Sequence, residues 1–292
     1  MTPLPSFSTQ LPLIVCVQAQ DAPGIVAAVS SALASSSANI VDTGQHSDTD
    51  ENGAGYFAAR LEATGSVDLD ALGARLTALE ERFPDSRIEV ISTPQRPRTV
   101  LACSSQLHVA ADVLARSSIG ELNCEIVAVV SDRTDAEPLA RRHHVPFLHL
   151  PVGAEREDQE VRFAAALSEL DAQLVVLARY MRILPSWIVE RFENKIINIH
   201  HSFLPAFPGA RPYSRAHERG VKLIGATAHY VTADLDAGPI IAQGVVHVTH
   251  RDSSSDLARR GADVERATLA TALRLHLEHR VAVYANKTCI FD

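Results

Sequence analysis

Four short, continuous apolar runs in the second part of the chain constrain the fold more than any other feature. Segments long enough for helices separate them, and they lie at residues 100–103, 126–130, 174–178 and 196–200. Continuous apolar strands that alternate with helices predict a parallel β-sheet covered by helices on both faces. Two further strands are predicted at 223–231 and 240–248, and a long helix at 254–277. The pattern predicts a Rossmann-like α/β domain, which binds ligands at the carboxyl ends of its strands.

The first 92 residues follow a different order, β-α-β-β-α-β, which is typical of a ferredoxin-like α+β domain. Helices are predicted at 25–36 and 69–83, and strands at 11–17, 40–43, 56–63 and 88–91. Asp21, Pro23 and Gly24 precede the first helix, where they would supply a capping carboxylate and an early proline.

A linker separates these two parts. Residues 93–98 contain two prolines and two arginines without apolar periodicity. The chain of 292 residues also exceeds the size of a typical single domain, about 100–150 residues. We therefore predict an N-terminal domain at 1–92, a linker at 93–98 and a catalytic domain at 99–292.

The N-terminal part resembles an ACT domain, a small regulatory module of metabolic enzymes. ACT modules bind an amino acid near the loop that enters the first helix, which corresponds here to Asp21, Pro23 and Gly24. The resemblance therefore implies an amino-acid effector, and a purely structural role in pairing subunits is the alternative. A four-stranded sheet with one open face and free edges favours association, so we expect a homo-oligomer.

Composition and charge exclude several classes of partner. The net charge of −8 argues against nucleic-acid binding, which requires clustered Lys and Arg. Apolar runs fall short of the roughly 20 residues that cross a bilayer, and the N-terminus lacks the basic region of a signal peptide. We expect a cytoplasmic protein without a membrane partner. The four cysteines are too scattered for a zinc site, so no metal is expected.

Polar side chains at the end of one apolar run point to chemistry. Asn198 and His200 are two residues apart on a predicted strand, so both leave the same face of the sheet. The following loop, 201–210, is stiffened by prolines and apolar residues. A second polar cluster contains Asp236, which precedes Gly238 and Pro239 and would by itself be read as a turn residue.

Together these stretches resemble the folate-dependent formyltransferase family. The resemblance covers about residues 98–292 and rests on Asn198 and His200 with Ser202 to Phe207, and on Leu235 and Asp236 before Gly238 and Pro239. It implies that Asn198, His200 and Asp236 are catalytic. It also implies that folate is held by Arg179, Met181, Arg182, Ile183, Leu184, His229, Thr232, Ala233, Asp234 and Leu235.

Some of these roles have alternatives. His229 either lines the pocket or satisfies a backbone group in the core. Arg179 and Arg182 either meet the anionic glutamate tail of a folate or cap a helix.

Within that family the chain is similar to the deformylase branch. His201 stands where the transformylases have a proline, and the loop 104–108 lacks the glycines with which transformylases cradle a phosphate. Ser105, Val109 and Pro208 depart from the deformylase pattern. The resemblance implies hydrolysis of 10-formyltetrahydrofolate to tetrahydrofolate and formate, without a cofactor, in support of one-carbon and purine metabolism. A formyl transferase acting on an amine, or a regulator with a vestigial enzyme domain, are the alternatives.

The implied mechanism is direct hydrolysis of an N-formyl group. Asn198 donates to the formyl oxygen as negative charge develops. His200 acts as a general base on water or as a protonated stabiliser. Asp236 holds water and His200 in place and helps to move a proton to the leaving nitrogen.

Overall fold

The computed structural model describes residues 13–49, 53–83, 85–92, 96–152, 156–204 and 212–292. The chain forms two compact units. The first contains residues 1–94, 279–285 and 289–292, and the second contains 95–278 and 286–288.

The first unit has the predicted ferredoxin-like order. Its elements are β1 (Leu13–Gln20), α1 (Ile25–Ser35), β2 (Asn39–Thr49), β3 (Gly55–Thr64), α2 (Leu69–Arg82) and β4 (Arg87–Ile91). The strands form an antiparallel sheet in the order β2-β3-β1-β4. Its core includes Val15, Leu33, Leu61 and Leu72, which are buried between the sheet and the two helices.

Two local expectations in this unit were wrong. β2 does not end at residue 43 but continues to Thr49, because it pairs with β3 along its whole length. Its side chains are mostly exposed, so no apolar alternation marked it in the sequence. Asp21 does not cap α1: the N-cap is Gly24, at a left-handed φ of 96°, and no side chain caps it. The Asp21 amide instead donates to the Gly55 carbonyl, which ties Asp21 to the start of β3.

The second unit is the predicted Rossmann-like α/β domain. Its strands are β5 (Arg98–Cys103), β6 (Glu125–Ser131), β7 (Phe147–His149), β8 (Leu174–Ala178), β9 (Ile196–His200), β10 (Leu223–Tyr230) and β11 (Ile240–His247). Its helices are α3 (His108–Ser118), α4 (Glu137–Arg142), α5 (Arg156–Glu169), α6 (Ser186–Arg191), α7 (Pro212–Arg219) and α8 (Ser254–Leu277), and a short 3-10 turn spans Thr134–Ala136.

The seven strands lie in the order β11-β10-β9-β8-β5-β6-β7. β7, β6, β5, β8 and β9 are parallel, and β10 and β11 continue the sheet antiparallel. The apolar runs become buried strands because both faces of the sheet are covered, and all of β8 is buried. α8 begins with a capping box at Ser253 and Asp256 and packs on β10 and β11.

The C-terminal residues differ from the predicted domain boundary. They form a hairpin of β12 (Val281–Tyr284) and β13 (Lys287–Ile290) that the sequence reading did not anticipate. Ala282 and Phe291 pack on Ala58 of β3, so most of this segment belongs to the first unit rather than to a domain at 99–292. β5 begins at Arg98, the last residue of the predicted linker, and residues 93–95 lie outside the described part of the chain.

Candidate active site

β9 places two polar side chains beside a cavity. It lies between the parallel β8 and the antiparallel β10. Ile197 and Ile199 are buried, whereas Asn198 and His200 are only partly buried and line a cavity of about 280 Å³. The strand alternation therefore presents an amide and an imidazole side by side, as predicted.

All residues that the sequence predicted for catalysis or substrate binding line this cavity. They come from the loop after β8, from β9, from the end of β10 and from the segment that follows β10. They are Arg179, Met181, Arg182, Ile183, Leu184, Asn198, His200, His229, Thr232, Ala233, Asp234, Leu235 and Asp236. The fold therefore brings residues that are distant in the sequence to one cavity.

Asp236 lies in a tight turn and faces two histidines. Its Oδ2 is 3.2 Å from Nδ1 of His200, and its Oδ1 is 3.7 Å from Nε2 of His229. The hydrogen bond from the His200 imidazole is the largest cause that holds the pKa of the Asp236 carboxyl far below its usual value. Asp236 is therefore a carboxylate at neutral pH, suited to orienting His200 rather than to accepting a proton.

His200 has hydrogen-bond partners on both ring nitrogens. Because the Asp236 carboxylate can only accept, Nδ1 of His200 carries the proton of this pair. Nε2 lies 2.8 Å from Oγ of Ser202, so in the neutral ring Nε2 accepts from that hydroxyl. The sequence reading did not assign Ser202 a role, although its position two residues after His200 was visible. The result is a Ser–His–Asp chain of hydrogen bonds next to the cavity.

His229 fixes the amide of Asn198. Its side chain is 2% exposed, and Nδ1 lies 2.8 Å from the Tyr230 carbonyl oxygen, which can only accept. Nε2 is thus an acceptor in the neutral ring and lies 3.1 Å from Nδ2 of Asn198. His229 therefore lines the cavity and also contacts a backbone carbonyl. The second N–H of Asn198 is left to donate elsewhere.

The two arginines of the predicted folate loop have different surroundings. Arg179 is buried, at a left-handed φ of 61°, and its Nε donates to Gln106 at 3.0 Å. Arg182 has a side chain that is 41% exposed, and its Nε and Nη2 both donate to Asp132. Arg182 is therefore the arginine whose guanidinium reaches the solvent at the edge of the cavity.

A buried carboxylate behind Arg179 was missed by the sequence reading. Glu265 of α8 is 1% exposed, and its two oxygens lie 2.8 Å from Nε2 of His108 and 2.8 Å from the Tyr213 hydroxyl. Nε of Arg179 is 3.6 Å from Glu265. Burial alone would raise the pKa of Glu265, but the His108 hydrogen bond and the Arg179 charge hold it below its usual value.

His201 follows β9, and its ring lies 6.5 Å from that of Tyr213 in this buried network. Burial, followed by the charges of Arg179 and His200, lowers the pKa of His201 to about 4. His201 is consequently neutral across the physiological range. It lines the cavity without contributing a charge to it.

Other predicted features lie elsewhere. Asp21, Pro23 and Gly24 are in the first unit, and all three are exposed. The proline-rich loop, including Pro208, lies largely outside the described residues, which resume at 212.

In the described ranges, no cluster of three or more His, Cys, Asp or Glu could hold a metal ion. Likewise, none of the described helices is long and apolar enough to cross a membrane.

Comparison with known proteins relates this chain to a family. The formyl transferase family model matches residues 97–273. A formyltetrahydrofolate deformylase from Synechocystis is 45% identical over 94% of this chain and 96% of its own. The crystal structure of a formyltetrahydrofolate deformylase from Pseudomonas syringae superposes with a TM-score of 0.91 and 43% identity, over 98% of this chain and 96% of its own. A glycinamide ribonucleotide transformylase from Symbiobacterium toebii has a TM-score of 0.64 and 34% identity, and covers 68% of this chain and 95% of its own.

Proposed function

This chain belongs to the formyl transferase family and, within it, to the formyltetrahydrofolate deformylases, and we propose that it hydrolyses 10-formyltetrahydrofolate to tetrahydrofolate and formate. The formate enters one-carbon metabolism, including purine biosynthesis. The convergence of Asn198, His200 and Asp236 on one cavity carries the proposal.

The cavity offers a donor, a base and a carboxylate for attack of water on the formyl carbon. The N–H of Asn198 that does not face His229 donates to the formyl oxygen as it becomes negative, a contact worth about 3–4 kcal/mol in a preorganised site. His200 takes the proton of the attacking water at Nε2. That water must share Nε2 with the Ser202 hydroxyl or pass its proton through it.

The proton then travels to the leaving nitrogen of the folate. Breaking the bond between the formyl carbon and that nitrogen releases formate, and the nitrogen receives the proton from the His200 imidazolium. The Asp236 carboxylate stabilises this imidazolium through Nδ1. Because the pKa of Asp236 is held so low, Asp236 stays charged throughout the cycle.

We assign the folate itself to the rest of the cavity. The loop Met181 to Leu184 and the segment Thr232 to Leu235 form its two walls. Arg182 presents its partly exposed guanidinium at the rim, where the anionic glutamate tail of the substrate would extend. Arg182→Ala is expected to raise KM for 10-formyltetrahydrofolate more than it lowers kcat, and steady-state kinetics measure both.

The first loop of the domain favours water over an amine acceptor. Residues 104–108 lack glycine, and three of their side chains are engaged within the protein: Ser104 accepts from the Met181 amide, Gln106 from Arg179, and His108 pairs with Glu265. Formate release from 10-formyltetrahydrofolate without any acceptor tests the proposal. An absolute requirement for an amine would show formyl transfer instead, and no turnover at all would indicate a vestigial enzyme.

We also propose that the reaction needs no cofactor or metal. Asn198, His200 and Asp236 together supply the oxyanion donor and the proton transfers that hydrolysis of an amide requires. Dialysis against a chelator is expected to leave kcat unchanged. Loss of activity that zinc or magnesium restores would overturn this part of the proposal.

The first unit is proposed to bind an amino-acid effector at Asp21, Pro23 and Gly24. The α1 N-terminus is not capped by a side chain, so its amides are available to a carboxylate, and Arg82 lies close to Gly24. Asp21→Asn removes the charge that would meet the amino group and is expected to weaken binding in calorimetry. Asp70→Asn, at an exposed position of α2, is the matched control. A wild-type protein that binds none of the common amino acids would refute the effector site.

We further propose that the chain is a homo-oligomer in the cytoplasm. The edge strand β2 is eleven residues long and mostly exposed, which leaves a row of backbone groups for a second copy to pair with. Light scattering that returns the mass of a single chain would contradict the oligomer. Cell fractionation tests the location.

A further inference from the structure

The C-terminal hairpin ends in a tight two-residue turn. Ala285 and Asn286 both have positive φ, 41° and 60°, and connect β12 to β13. Two successive left-handed residues form the type of turn that suits the twist of a β-hairpin, and Asn is among the residues that adopt it most readily. The backbone conformation of the turn is therefore enough to explain an Asn at this position. It does not explain the contact that the Asn286 side chain makes.

Asn286 and Thr288, which both belong to the second unit, hold the turn that carries Asp236. Nδ2 of Asn286 donates to the carbonyl oxygen of Ala237 at 2.9 Å. Two residues further along, Oγ1 of Thr288 donates to the carbonyl oxygen of Ile240. These two carbonyls lie on either side of Gly238 and Pro239, so the tip spans the chain immediately after Asp236.

The Asp236 turn needs such support. Asp236 has a φ of 54°, in the left-handed region, which Asp adopts more readily than most residues other than glycine but still at some cost in free energy. Within the turn, the Ala237 amide reaches the Asp234 carbonyl only at 3.4 Å, beyond the usual range for an N–H···O bond. On the far side the turn is fixed, because the Tyr230 amide donates to the Pro239 carbonyl at 2.9 Å.

We propose that Asn286 is a positioning residue for catalysis, which holds the Asp236 carboxylate against Nδ1 of His200 through the Ala237 carbonyl. The inference rests on the proposed function, since it assumes that Asp236 acts in hydrolysis. Asn286 touches neither substrate nor the reacting atoms. Its effect passes along the backbone from Ala237 to Asp236, where the distance to His200 is 3.2 Å.

Two substitutions separate the hydrogen bond from the turn. Asn286→Asp and Asn286→Gly both tolerate a left-handed φ, but neither donates to the Ala237 carbonyl. Both are expected to lower kcat for formate release about 10- to 100-fold, because a displacement of about 1 Å in a catalytic group can cost that much. KM should change less than about twofold, since the folate contacts are left in place. Tyr284→Phe is the matched control: it removes the hydrogen bond to Asp48 from the same hairpin and should turn over like the wild type.

A double-mutant cycle with Asp236→Asn completes the test. If Asn286 acts through Asp236, Asn286→Asp adds no further loss of kcat in the Asp236→Asn background. Full turnover in Asn286→Asp, or a loss that adds to that of Asp236→Asn, would overturn the inference. So would a loss of kcat that merely follows a lowered thermal midpoint. If Asp236→Asn itself retains full turnover, the proposed role of Asp236 fails instead, and the two failures are distinguished.

Discussion

Replacing Asp236 with Asn removes a charge while keeping the size of the side chain. In the wild type, the carboxylate lies 3.2 Å from Nδ1 of His200 and 3.7 Å from Nε2 of His229. The Asn side chain can still accept at Nδ1 of His200 through its amide oxygen. What is lost is the negative charge that stabilises the His200 imidazolium after the water has been deprotonated.

The magnitude follows from the geometry. Two unit charges about 4 Å apart attract by about 4 kcal/mol at the effective dielectric constant of about 20 that suits a site near the surface. The Asp236 side chain is 28% exposed, so solvent screens part of this attraction. A remaining contribution of about 3 kcal/mol corresponds to a fall in kcat of about 10²-fold. Folate should still bind, because the walls of the cavity are unchanged.

The assay compares three quantities in wild type and Asp236→Asn. Formate release gives kcat, fluorescence titration gives the dissociation constant for folate, and calorimetry gives the thermal midpoint. We expect the first to fall about 10²-fold or more and the other two to stay nearly constant. A midpoint that falls together with activity would show that Asp236 is a structural turn residue. Near-normal turnover would remove Asp236 from the mechanism and leave His200 as the only titratable catalyst.

Three further substitutions test the packing and electrostatics of the domain. The pKa of His201 is lowered to about 4 from 6.5. The unfolded chain therefore binds more protons in this window, so wild-type stability falls as pH drops from 6.5 to 4, by at most about 1.4 kcal/mol per pH unit. His201→Gln should reduce this dependence of unfolding free energy on pH, as measured by denaturant titrations at several pH values. An unchanged dependence would refute the lowered pKa of His201. A Cβ at Gly261 would lie 2.0 Å from the Tyr213 hydroxyl, so Gly261→Ala should destabilise by about 1–3 kcal/mol, whereas Gly73→Ala, which meets no atom within 4 Å, should not. Phe163→Ala, at a position 1% exposed, should cost about 3–5 kcal/mol, and a smaller cost would show that the core closes around the gap.

Local sequence patterns determined the strands and helices that carry most of the site. β8, β9 and α8 lie at the predicted residues, because apolar periodicity reflects burial of the segment itself. The same local rule placed Asn198 and His200 on one face, since side chains two apart on a strand leave in the same direction. The family motif then connected these residues with Asp236, which local context alone marks only as part of a turn.

Exposed and polar segments were harder to predict from the sequence. β2 was predicted to be short because its exposed edge carries no apolar alternation. The C-terminal hairpin went unnoticed, although Ala285 and Asn286 separate two short β-prone runs. Ser202 belongs to the family motif, but its contact with Nε2 of His200 was not predicted. A serine hydroxyl can bond to many groups, and its position in the sequence does not specify which one.

Only the tertiary structure decided which of these groups meet. Asp236 approaches His200 because β10 returns antiparallel beside β9, and Glu265 receives Tyr213 because Gly261 leaves space for the ring one turn earlier on α8. Asn286 reaches the carbonyl of Ala237, which is 49 residues away along the chain. Hydrogen bonds and charges act over about 3–4 Å in space whatever the separation along the chain, whereas apolar periodicity is a property of one segment. The sequence therefore determined the elements and the chemical groups, and the packing of the elements determined which groups are close enough to act together.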